Sequence, residues 1–236
     1  MSDTEALRAL MEADRWIERV RSQRDHLPES VELAQLEGQL RELLADLKDA
    51  EGVLGPLASQ SEQSSKESER LRLRARDLDR ALSESTAGAR ELTAIQGELN
   101  HVRERLSESE DRELELLEQV EPAQARVDEI KQLAQPGVRR RGELIETIKQ
   151  LRASLEEEVV SLTSDRAARA QAVAPALLAR YDAALARVGT SGASQVVEGR
   201  CDGCRLRLSP LDVDHFRALP ADTFMDCPEC GRILLP

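Results

Sequence analysis

The sequence predicts a mainly α protein: a long antiparallel, kinked coiled-coil hairpin over residues 1–190, then a small β-rich module over 191–236 built on four cysteines. Three observations predict it. Aromatic residues make up 2% of the chain and charged residues 33%. A compact core usually draws on large aromatics, so burial here must come from aliphatic seams between helices. Leu and Ala recur in alternating steps of three and four, the period of a coiled coil. All four cysteines fall in the last 36 residues, as CDGC and CPEC.

The first element is a helix over about 4–26, with Ala6, Leu10, Ala13, Ile17 and Val20 on one stripe, ended by Leu27-Pro28. The second opens the main seam. From Leu33 the steps run Leu36, Leu40, Leu43, Leu47, Ala50, Leu54, Leu57, Ser61, Ser64, Ser68, Leu71, Ala75, Leu78 and Leu82, seven heptads in one register. Serines in ASQSEQSSKES weaken the middle of it, so fraying is expected there, after a kink at Gly55-Pro56. SESTAGARE (83–91) supplies the residues of a cap and a turn, which places the hairpin tip near 84–90. A second run descends through Leu92, Ile95, Leu99, Val102, Leu106, Ser109, Glu113, Leu116, Val120, Ala123, Val127 and Ile130, resuming at Leu144, Ile148, Leu151 and Leu155. Pro122, Pro136 and Pro175 are expected to bend or break that arm. The first helix should stack end to end with the second, so that both face the descending arm. Heptads fit a parallel dimer as well as a hairpin. Matched arm lengths and the central turn favour the hairpin. Exposed leucines off the seam (Leu44, Leu73, Leu114, Leu117) leave a monomer or a weak homodimer as the expected state. GTSGASQ (189–195) reads as a flexible joint, and QVVEG, RLRL and RILLP as short strands.

The cysteines are spaced C-x2-C-x22-C-x2-C, at Cys201, Cys204, Cys227 and Cys230. Each CxxC lets two thiolates approach one ion from a single tight turn. Two such turns make a closed tetrahedral S4 site, which suits one structural Zn²⁺. Gly203 and Gly231 fit positions that need a left-handed backbone, and Pro228 pre-sets the second turn. A metal also stabilises a module too small for a core of its own. His215 reads as a surface residue. A closed S4 site has no open position for catalysis, and no nucleophile–base constellation or phosphate-cradling glycine loop is present in the sequence, so no enzyme is expected.

Charge narrows the partners. The net charge is −12, which opposes general binding to phosphate backbones or anionic membranes. Residues 196–236 carry five arginines against seven carboxylates. Two basic clusters stand apart, ERLRLRARDLDR (69–80) and Arg139–Arg141, which read as solvated flanks paired with nearby carboxylates ahead of RNA contacts. The opening MSDTEALRALMEADR lacks a basic and apolar leader, and no apolar run spans a membrane. A cytoplasmic location without membrane contact is expected.

The hairpin with its STAGARELTAIQGEL tip, ELLEQVE, and the terminal CxGC…CPECGRIL resembles a family of bacterial coiled-coil proteins with C4 zinc ribbons. That resemblance implies a kinked hairpin carrying a ribbon at its base and no enzymatic activity. Members in other lineages look like adaptors linked to flagellar or secretion components and to a sigma factor, with nucleic-acid contact proposed in some. Carried over residue by residue, it makes the four cysteines zinc ligands and Arg90 and Glu91 a contact surface near the tip. The leading expectation is therefore a zinc-ribbon coiled-coil adaptor for protein partners, of the transcription or a secretion-type machinery. The alternative is a regulator that binds RNA or DNA through the arginine clusters and the ribbon. A tip that enters RNA polymerase would need acidic residues at the turn, and Asp77 and Asp79 lie well below it.

Overall fold

The computed structural model describes residues 2–84, 86 and 88–236. Its helices are α1 (Asp3–Asp25), α2 (Pro28–Glu84), α3 (Ala89–Ala170), α4 (Pro175–Val188) and α5 (Pro210–Ala218), with short strands β1 (Ala193–Val197), β2 (Arg200–Cys201) and β3 (Ile233–Leu235). The expected tip falls between α2 and α3, where Ser85 and Ala87 lie outside the described residues. The chain divides into two compact units. One is Glu32–Glu143; the other joins Met1–Val31 to Leu144–Pro236. No described helix is long and apolar enough to cross a membrane.

In the Glu32–Glu143 unit, α2 and α3 pair antiparallel. Glu98 meets Arg74, Arg103 meets Asp79, Glu110 meets Arg72, Lys131 meets Glu51, and Arg141 meets Glu37. From Arg103–Asp79 onward, partner numbers rise on α3 as they fall on α2, the pattern of an antiparallel hairpin. All fifteen seam positions from Leu33 to Leu82, and all twelve from Leu92 to Ile130, are buried or half-buried. Leu71, Ala75, Leu78, Leu99 and Val102 form the tightest cluster.

One expectation fails here and a second is narrowed, for the same reason. The serine stretch is not frayed: α2 runs through it, and Ser64 and Ser68 are buried. Ser64 Oγ donates to the Ser109 carbonyl at 3.3 Å, and the Ser68 and Ser109 hydroxyls lie 2.9 Å apart. The Ser64 hydroxyl is thus satisfied by a backbone carbonyl across the seam and the Ser68 and Ser109 hydroxyls by each other, which offsets the penalty of burying them. Nor does Pro136 break the arm, since α3 continues through both Pro122 and Pro136. Gly137 then takes a seam position, where an added Cβ would stand 3.0 Å from Leu40 Cδ2. Each proline removes one helical hydrogen bond, but with the aliphatic seam on either side the chain stays helical through both. Only Pro175 marks a break, and it starts α4 at the first-turn position where its missing N–H costs nothing.

In the other unit, α1 opens with a reciprocal cap. Ser2 Oγ accepts from the Glu5 N–H at 3.2 Å, and the Ser2 N–H donates to Glu5 Oε2 at 2.9 Å. The predicted stripe Ala6, Leu10, Ala13, Ile17 and Val20 is buried. α1 lies along the end of α3, joined by Arg24–Glu156, Asp14–Arg166 and an Arg169 bond to the Ala9 carbonyl. The sheet has order β2-β1-β3, with β1 antiparallel to β2 and parallel to β3. β1 turns into β2 through Glu198-Gly199, both at positive φ, the geometry of a two-residue type I′ hairpin. RLRL forms no strand beyond one bridge at Arg207.

The segment expected to be a flexible joint is the best-held part of the unit. Ser191 and Ser194 are buried, and β1 starts at Ala193. Ala193, Ile233 and Leu235 share one core with Leu7, Leu10 and Met11 of α1 and with Leu177 and Tyr181 of α4. Small residues that look like linker composition are here because the backbone passes too close to α4 for anything larger. A Cβ on Gly192 would overlap the Tyr181 carbonyl. Gly192→Ala is accordingly expected to destabilise this unit by about 1–3 kcal/mol. Chemical denaturation followed at Trp16, the single tryptophan, measures it, and a transition matching wild type would contradict the packing.

Candidate metal centre

The four cysteines converge. Their sulfurs all lie within 4.8 Å of one another, with Cys201 and Cys230 at 3.8 Å and Cys204 and Cys227 at 3.9 Å. A tetrahedral zinc with Zn–S bonds of about 2.3 Å sets sulfur–sulfur separations near 3.8 Å. The donor set and its spacing therefore fit zinc. His215 is exposed on α5 and outside the cluster.

Both knuckles use one backbone plan. In the first, the Arg205 N–H donates to the Cys201 carbonyl at 2.7 Å and the Cys201 N–H to the Leu206 carbonyl at 3.1 Å. In the second, Gly231 donates to Cys227 at 2.8 Å and Cys227 to Arg232 at 2.7 Å. The residue after each second cysteine is left-handed: φ is 61° at Arg205 and 69° at Gly231. Gly231 is there as expected. Gly203 is not left-handed, and its reason is different. An added Cβ would come 2.7 Å from Arg232 Cδ, so Gly203 makes room for a buried arginine.

Surroundings divide the thiols. Burial opposes ionisation at Cys201. Hydrogen bonds from Ser194 and the backbone N–H groups of Cys204 and Gly203 outweigh it and bring the thiol down to about 7. Burial raises Cys204 and pushes Cys227 up to about 12. Ser194 stands 3.5 Å from Cys201 Sγ and accepts the Gly203 N–H at 2.7 Å, orienting a ligand through its outer contacts. Nothing in the spacing of the cysteines marks Ser194, and the joint-like composition of GTSGASQ concealed its burial. Arg232 and Arg187 were equally silent in the sequence. Arg232 donates to the Ser191 carbonyl at 3.0 Å and to Thr190 Oγ1 at 2.8 Å, and Arg187 donates to the Gly231 carbonyl at 2.9 Å.

The basic clusters form flanks paired largely with carboxylates, as their sequence suggests. Arg72, Arg74, Arg140 and Arg141 are held by carboxylates across the seam. Asp79 is engaged by Arg103, and Arg90 and Glu91 are exposed in the first turn of α3. Arg205 carries a side chain where the second knuckle has glycine. A left-handed non-glycine residue costs roughly 1–2 kcal/mol, part of which glycine's extra chain entropy offsets. Arg205→Gly is expected to stabilise the metal-bound unit by about 0.5 kcal/mol, read as a shift in the denaturation midpoint with zinc content unchanged.

Comparison with known proteins agrees with this geometry. The CT398-like coiled coil hairpin domain matches residues 10–189, and a C4-type zinc ribbon domain matches 200–234. An uncharacterized protein of Mycobacterium tuberculosis is 27% identical over 234 residues, covering 98% of this chain and 94% of that one. A structure from Mycobacterium smegmatis superposes with TM-score 0.84 at 26% identity over the whole of both chains. CT398 of Chlamydia trachomatis shares the fold at TM-score 0.64 and 18% identity, covering 98% of this chain and 96% of its own. A helical hairpin followed by a cluster of four cysteines is what those two descriptions name, and this chain belongs to the CT398-like coiled-coil hairpin family, with a C-terminal C4-type zinc ribbon.

Proposed function

We propose that this protein is a non-enzymatic adaptor that holds protein partners, with one structural zinc bound by Cys201, Cys204, Cys227 and Cys230. The observation that carries the reading is how the ribbon is seated. It is fixed to α1 and α4 by a shared core and by Thr4–Asp222, Arg15–Asp202 and Arg180–Asp226 contacts. A rigidly placed module with a closed thiolate site suits presentation of a surface more than chemistry. Coiled-coil flanks add long faces for helix docking. The alternative, nucleic-acid binding through the arginine clusters, has less support. Most of those arginines already face carboxylates, and the ribbon's own charge is negative before a tetrathiolate centre adds to it.

Affinity purification of the full-length chain from its native cells, with and without nuclease, tests the role. Partners that survive nuclease are expected; recovery that disappears with it would replace the adaptor by a nucleic-acid binder. The zinc has its own test. Wild type should hold one zinc per chain, and Cys227→Ser should lose it to a chelator. Because Ile233 and Leu235 share the core of α1 and α4, that loss should also melt helical signal. The decrease should be confined to about the 23 residues of α1 and 14 of α4, small beside the 57 of α2 and 82 of α3. Unchanged helicity on zinc loss would contradict the shared core.

A further inference from the structure

This inference names the partner chemistry for the adaptor reading and rests on it. A cleft of about 470 Å³ lies between one face of α1 and the first knuckle. Arg15, Glu18 and Arg19 line it from the helix, at spacings that share one face. Asp202, Arg205 and Arg232 line it from the ribbon. Four arginines thus face two carboxylates, in a chain whose net charge is −12.

Those arginines are under-matched. Among the described residues, Arg19 and Arg205 form no ion pair, and both are exposed. Arg19 stands over the Trp16 ring, 4.6 Å from its centroid. Arg232 is 7% exposed, and its described partners are the neutral oxygens of Ser191 and Thr190. A buried guanidinium balanced by neutral acceptors is costly. The Arg15–Asp202 pair spans 3.0 Å with side chains 37% and 48% exposed. Exposed pairs of this kind hold weakly, so an incoming carboxylate can displace Asp202 from Arg15.

Size and surroundings select the anion. The cleft takes two or three side chains. Beyond it the ribbon bears Asp212, Asp214, Asp222, Asp226 and Glu229. A nucleic-acid strand carries charge along its whole length and is disfavoured by a ribbon whose net charge is negative. A short acidic peptide run needs no more than the cleft, and guanidinium forks match carboxylates in geometry as well as charge. We infer that the cleft between α1 and the first knuckle docks a short Asp/Glu-rich segment of a partner protein on Arg19, Arg205 and Arg232, with Arg15 released from Asp202.

The test uses the full-length, zinc-loaded protein and two dye-labelled probes at one salt concentration: a capped decapeptide of alternating Glu and Asp, and an oligouridylate of ten nucleotides. Fluorescence anisotropy gives each affinity, and Trp16 emission reports whether the cleft is occupied. The peptide is expected to bind at least about tenfold more tightly than the RNA and to change Trp16 emission. The Arg19→Glu/Arg205→Gly variant should weaken it by at least about tenfold, with zinc content and helical signal unchanged because Arg19 is exposed and glycine suits the left-handed knuckle position. Tighter RNA binding would make the cleft a nucleic-acid interface, and undiminished peptide binding by the variant would remove the cleft from the account. Purification of the variant beside wild type separates the two readings. If both recover the same nuclease-resistant proteins, the cleft proposal falls and the adaptor stands. If neither recovers any, the adaptor reading falls with it.

Discussion

The hydroxyl of Tyr181 donates to Asp14 Oδ2 at 2.6 Å, and much of the molecule's base depends on that bond. Tyr181 is fully buried, the chain's single tyrosine in a protein with almost no aromatic residues. It joins α4 to α1 directly. Arg166 of α3 donates to the other oxygen of Asp14 at 2.8 Å and also reaches Asp182 of α4. Three helices are therefore tied at one carboxylate. Burial and the Asp14 carboxylate both hold the Tyr181 hydroxyl well above the usual phenol range, so it remains a donor. A buried carboxylate is tolerable only when paired and hydrogen-bonded, and Asp14 is both.

The ribbon uses the surface that this knot creates. Ile233 and Leu235 of β3 fill the same core as Leu7, Leu10 and Met11, and Gly192 lets β1 pass against the Tyr181 backbone. A module of this size buries too little apolar area to fold on a core alone. Here it draws on two sources, the convergent thiols on one side and the helical core on the other. Cys201, Cys227, Leu208 and Leu234 form the small apolar layer between them. The cysteine cluster and the helix-docked core thus adjoin within one unit.

The coil of Glu32–Glu143 follows different physics. Its seam is aliphatic and narrow, and its many Arg–Glu pairs are mostly about half-exposed, so each adds little. Their worth lies in register, because a slipped pairing would place like charges opposite. The Ser64, Ser68 and Ser109 layer has the same effect. Buried hydroxyls are satisfied only when those three levels meet, which favours one alignment over its neighbours.

The seam residues and the four cysteines were legible in the sequence because each signal is local and periodic. A heptad records which side chains face inward whatever the partner helix, and CxxC spacing records that two sulfurs can reach one ion from one turn. Helix ends at Pro28 and Pro175 were legible for the same reason. What escaped depended on contacts between distant segments. GTSGASQ has the composition of a linker, and only its passage beneath Tyr181 shows why those residues must be small. The serines look like a weak point until Ser109 is brought opposite them. Pro136 looks like a break until Gly137 is seen to meet Leu40. Gly203 answers to Arg232, far along the chain, and not to its own backbone angle. Local spacing determined the fold class and the four-cysteine cluster; tertiary packing alone decided that ribbon and helices share one core, because burial belongs to pairs of surfaces and not to single segments.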